Sequence, residues 1–137
     1  GDLDPKMDLR EADLEDGQEW TGWHRIEKDL WPKEATDYTT LTDTERKTYG
    51  QDLLKNTTTL DGRIKKLDFT VDQIANGSRG LLEEVATGKV TGEEEAWSHT
   101  DLWDFQANVD GAKVGYDGVR PILVANGHNP LFGQVRD

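Results

Sequence analysis

The chain of 137 residues contains no cysteine. Disulfides, thiolate chemistry, iron–sulfur clusters and zinc fingers are excluded with it, although its absence does not fix the compartment. No apolar run is long enough to span a bilayer. Basic residues are few. There are 16 Lys and Arg against 28 Asp and Glu, for a formal charge of −12. Such an excess repels the phosphates of nucleic acids and anionic lipid surfaces, so neither is expected as a partner. Period-two alternation is missing too, which removes any expectation of strands. A hydrophobic content of 34% suffices for one modest core, and the length suits a single domain over residues 1–137.

What remains is helical periodicity. Residues 1–16 are acidic and poor in apolar groups, and Pro5 interrupts them, so they read as an irregular arm. A first helix is expected from about Glu19 to Trp31, ended by Pro32. Thr42-Asp43-Thr44-Glu45 is a capping box opening a second helix, whose seam is Tyr49, Leu53, Leu60, Ile64 and Leu67. Thr70-Val71-Asp72-Gln73 opens a third, with Val71, Ile74, Ser78, Leu81 and Val85 as its seam and Gly88 at its end. A polar loop over Lys89–Glu95 leads to a fourth helix capped by Ser98, with seam residues Leu102, Phe105, Val109, Ala112, Tyr116 and Val119. Gly111, Gly115 and Gly118 each cost about 1 kcal/mol there against alanine, which points either to close approach of another helix or to weak spots. Pro121 should kink or end this helix, and 126–137 reads as an irregular tail. The expectation is an all-α chain, an antiparallel four-helix bundle.

Within the first helix Trp20, His24, Glu27 and Trp31 share one face, at steps of four, three and four. Ionisable residues on a face flanked by tryptophans need partners, because unpaired burial costs kilocalories. Either His24 and Glu27 pair with each other, or they converge on one metal ion, which a His and a Glu at i, i+3 can do.

GWHRIEKDLW carries the signature Gly-x-His-x-x-Glu. Together with GDLDPKMDLRE and LLEEVATGKVTGEEEAWSHTDLWDFQANVDGA, it resembles the imelysin-like proteins, and more closely their EfeO branch, the extracytoplasmic component of a bacterial iron-uptake system. The three blocks cover most of residues 1–125 in order. The resemblance implies a two-bundle helical domain, of which this chain would be one half. It lacks the Glu-rich helix that normally precedes GDLDPK and the bundle that normally follows. The chain is therefore expected to be a fragment, with its signal segment absent, of an extracytoplasmic lipoprotein in the periplasm or at the cell surface.

The resemblance implies metal ligation by His24 and Glu27. Glu84 matches the second acid of the LLEEVA block, and the competing reading is a surface glutamate near a helix end. Asp101 is either a ligand or a capping residue three positions after Ser98. Asp8, in DPKMDLRE, is either a ligand or a solvated loop carboxylate. Trp97 and Trp103 are placed to wall such a site, and Arg25 reads as an ion-pair partner for acids. One imidazole and two or three carboxylates suit Fe2+ or Fe3+, and also zinc or copper. The implied partners are a membrane iron permease and a haem-containing peroxidase. No enzymatic role is expected: the zincin pattern needs a second histidine one turn on, and none is there. A metallopeptidase-like imelysin domain, a module binding polysaccharide or another extracellular ligand, and a purely structural bundle are the alternatives.

Overall fold

The computed structural model describes residues 1–35, 38–87, 92 and 94–127. The expected stop at Gly88, most of the loop after it, and the tail from His128 onward lie outside them. Among the described residues all regular structure is helical: α1 (Asp4–Met7), a 3-10 turn (Glu11–Asp13), α2 (Trp23–Leu30), α3 (Asp43–Ile64), α4 (Val71–Thr87) and α5 (Asp101–Ala125). Two compact units are formed, one by Gly1–Leu67 with Glu94–Thr100, the other by Asp68–Glu93 with Asp101–Asp137.

In the first unit, the supposed irregular arm contains a helical turn. Pro5 stands in the first turn of α1, where its missing amide would have had no helical partner in any case. What α1 contributes is burial: Leu3 and Met7 pack with Leu53 of α3 and with Ile26 of α2. Each such side chain removed from water is worth about 2 kcal/mol. Helix α2 is shorter than its sequence pattern suggests. It begins at Trp23, because Gly22 adopts φ 96°, ψ −163°, a region essentially reserved for glycine. A Cβ at Gly22 would lie 2.3 Å from the Met7 carbonyl oxygen. The glycine therefore lets the end of α1 press against the start of α2. Trp20 and Thr21, before the helix, are tied to the same arm: Trp20 Nε1 donates to the Leu9 carbonyl (2.7 Å) and Thr21 Oγ1 to that of Lys6 (3.0 Å). Trp31 lies beyond the helix and is exposed. The four-residue face thus reduces to two buried members, His24 and Glu27.

Both capping boxes form. Thr42 Oγ1 accepts from the Glu45 amide while Glu45 Oε2 accepts from the Thr42 amide, and Thr70 and Gln73 repeat the exchange at the start of α4. The α2–α3 connection is held by buried Asp29. Its Oδ1 accepts from the Leu41 amide (2.7 Å) and the Tyr38 hydroxyl (3.1 Å), and its Oδ2 from Arg46 Nε (2.6 Å). Along the expected seam of α3 only Leu53 is buried; Leu60, Ile64 and Leu67 are exposed.

In the second unit, α4 packs on α5 at two glycines. A Cβ at Gly115 would meet Ser78 Oγ at 2.1 Å, and one at Gly111 would meet Leu81 Cδ1 at 3.2 Å, whereas Gly118 faces open space. Asn108 Nδ2 donates to the Leu81 carbonyl (3.3 Å). Ala112 and Val119 are buried, while Leu102, at the start of the expected seam, is 77% exposed. Helix α5 continues past Pro121 to Ala125, so the proline does not end it.

Gly22→Ala should destabilise the protein by at least about 3 kcal/mol in urea denaturation, from a disfavoured φ and a backbone overlap. Gly50→Ala, in a helix interior with nothing within 4 Å, should stabilise it by up to about 1 kcal/mol. Asp29 supplies an acid-sensitive contribution. Burial pushes its carboxyl up, but Arg46, the Leu41 amide and Tyr38 together hold it below its ordinary 3.8. A lowered folded value means that this stabilisation is complete above about pH 4 and is lost as pH falls through the folded value. Asp29→Asn should remove that part of the acid limb in pH-dependent thermal melts.

Candidate metal centre

Residues from three stretches of the first unit meet at one buried His–Glu pair. His24 and Glu27 both lie on α2, one turn apart, and both are buried. Asp8 caps the C-terminal end of α1, and its Oδ1 lies 3.2 Å from His24 Nε2. On the other edge of the ring, His24 Nδ1 faces Glu27 Oε2 at 3.8 Å, beyond hydrogen-bond reach.

The two oxygens of Glu27 are in different circumstances. Oε1 accepts three hydrogen bonds, from the Trp97 amide (3.0 Å), the Ser98 amide (2.7 Å) and the Ser98 hydroxyl (2.9 Å). Oε2 is buried and, among the described residues, has no hydrogen-bond partner. The turn that supplies the donors is itself secured: Ser98 Oγ also contacts Glu95 Oε2 and Thr100 Oγ1, and Arg10 pairs with Glu94 at 2.7 Å. Ser98 is thus not the cap of α5. That helix begins at Asp101, which makes Asp101 its first residue rather than its third and removes the capping-box role considered for it.

A cluster of rings and cations borders the site. Trp20 and Trp97 lie with ring centroids 5.8 Å apart. Arg25 stands over Trp20, Tyr38 and Tyr49, and Lys28 over Trp20, Tyr38 and Trp97. Arg25 thus stacks on aromatics and donates to the Tyr38 hydroxyl, in place of the acid pairing expected of it; Lys28 pairs with Glu11. Trp97 is half-buried, whereas Trp103, in the second unit, is 76% exposed.

Of the five candidate ligands, the first unit brings together Asp8, His24 and Glu27. Glu84, exposed on α4, and Asp101, half-buried at the start of α5, belong to the second unit. Among the described residues, no three His, Asp or Glu side chains gather as a complete ion site would require. What the first unit holds is a corner in which His24 Nδ1 and Glu27 Oε2 face each other. Sequence reasoning missed the Trp97–Ser98 donors, 70 and 71 positions from Glu27, because no local pattern announces so distant a contact.

The family model described as imelysin, in the peptidase M75 group, matches residues 1–137. The chain belongs to the imelysin family. Within that family it is similar to curated proteins named Efem/EfeO family lipoprotein from Staphylococcus aureus. It is 48% identical over 126 residues to those of strains MRSA252 and NCTC 8325, and 47% identical to that of strain MSSA476. Each alignment covers 90% of this chain and 42% of the relative, so this imelysin chain spans well under half the length of those lipoproteins. No helix among its described residues is long and apolar enough to cross a membrane.

Glu27→Ala would leave two part-buried amides without their acceptor, at up to about 1 kcal/mol each. Hydrogen exchange of the Trp97 and Ser98 amides should accelerate by at least tenfold in this variant, with α4 amides unchanged. Equal protection in variant and wild type would mean that Glu27 does not hold this turn.

Proposed function

We propose that this chain carries the His–Glu corner of an extracytoplasmic protein of the Efem/EfeO type that binds iron as cargo. The observation that supports it is the buried, unpartnered Glu27 Oε2 facing His24 Nδ1 at 3.8 Å. A carboxylate oxygen can only accept, and stranding it in the interior is costly unless a cation offsets its charge. Nitrogen and oxygen ligands stand about 2.0–2.2 Å from a transition-metal ion. An ion bonded to both atoms therefore spans a separation of this size, whereas a hydrogen bond between them does not. An imidazole with a carboxylate suits iron, zinc or copper better than calcium, which prefers oxygen throughout.

His24 and Glu27 are the ligands in this reading, and further donors complete the shell. Glu84 and Asp101 are to be tested one by one for that role. The lipoprotein name of the relatives supports a location outside the cytoplasm. Delivery of the ion to a membrane permease, with a haem-containing peroxidase as a further partner, rests on the family resemblance alone. A zincin-type peptidase is disfavoured because Lys28 occupies the position one turn after His24 where a second histidine would stand.

Equilibrium dialysis against Fe(II), Fe(III), Zn(II), Cu(II) and Ca(II), with bound metal counted by mass spectrometry, tests the proposal. Transition-metal affinity should fall at least tenfold in His24→Ala while the far-ultraviolet helical signal persists. It should also weaken as pH drops, since protons compete for imidazole and carboxylate. Affinity unchanged in His24→Ala would overturn the ligand assignment.

A further inference from the structure

We propose that Asp8 is a positioning residue that fixes the tautomer of His24, and so determines which ring nitrogen faces Glu27. The inference rests on the metal-binding reading for its purpose but not for its geometry. Neutral imidazole carries one proton, on either Nδ1 or Nε2, and the partner of one nitrogen sets the state of the other. Asp8 Oδ1 lies 3.2 Å from Nε2, and an ionised carboxylate can only accept. The contact is therefore a hydrogen bond only when Nε2 holds the proton. Nδ1 then presents a bare lone pair to Glu27 Oε2. At 3.8 Å no hydrogen bond to Glu27 competes for the proton. Histidine ligands are commonly oriented in this way by a carboxylate on the far nitrogen.

This assigns Asp8 a place beside the ligand rather than on the ion, and it explains several features of the chain together. Asp8 reaches His24 because its backbone caps α1, because Leu3 and Met7 anchor that turn against Leu53, and because Gly22 admits the Met7 backbone at a distance no Cβ would allow. The Trp97–Ser98 turn acts on Glu27 in parallel, occupying Oε1 and leaving Oε2 for the cation.

The test is long-range proton–nitrogen correlation NMR of the isotope-labelled, metal-free protein at about pH 8, where imidazole is ordinarily neutral. The His24 signal is assigned by its loss in His24→Gln. Wild type should show His24 as the Nε2–H tautomer. Asp8→Asn, whose side-chain carbonyl can still accept, should keep it, and Asp8→Ala should give a mixture. Zn(II) affinity, with zinc alone as the probe, should fall about tenfold in Asp8→Ala and less in Asp8→Asn. A wild-type Nδ1–H tautomer, or a tautomer unchanged by Asp8→Ala, would overturn the proposal. An Asp8-dependent tautomer in a protein that binds no metal would uphold the positioning role while contradicting the function proposed above.

Discussion

The folded first unit depends on how one buried carboxylate is divided. A buried carboxylate oxygen without a partner is costly, and among the described residues hydrogen bonds reach Glu27 Oε1 alone. That single oxygen draws the Trp97–Ser98 turn, some 70 residues away in sequence, onto α2. The turn in turn places Trp97 against Trp20, where their rings border the stacked side chains of Arg25 and Lys28. The other oxygen faces an imidazole and, among the described residues, has no hydrogen-bond partner. The same side chain serves both ends: what closes the unit also leaves one carboxylate oxygen facing the imidazole.

The motif Gly-x-His-x-x-Glu acquires a physical reading from this arrangement. The glycine is the residue whose backbone conformation and lack of Cβ let α1 close against α2. The histidine lies between two carboxylates, one at each nitrogen. The glutamate, one turn on, joins the third stretch of chain. Each position has a separate constraint, so alanine at any of them should fail for a different reason.

Local patterns were the readable part of the sequence. Thr42 with Glu45, and Thr70 with Gln73, announce helix starts because a capping box is closed within four residues. His24 and Glu27 stood out because ionisable residues interrupted an otherwise apolar face. The close approach behind Gly111 and Gly115 was one of two readings their cost allowed, and α4 supplies it. The rest was set by contacts between distant residues. Pro5 looked like a helix breaker, and only the packing of Leu3 and Met7 on Leu53 makes a turn there worthwhile. Trp20 matched the helical spacing of α2 but is tied to Leu9 outside that helix. Ser98 had the local look of a cap, yet its hydroxyl serves Glu27. Asp8 gave no signal beyond its block, since its importance depends on which residue it meets.

His24 Nδ1 and Glu27 Oε2 are proposed to share a cation. Anomalous diffraction from crystals of the iron- or zinc-loaded protein tests it most directly. A shared cation gives one anomalous peak between those two atoms, about 2 Å from each, with Asp8 still on Nε2. A peak on the Asp8 side of the ring, or a direct His24–Glu27 hydrogen bond with no peak at saturating metal, would contradict it.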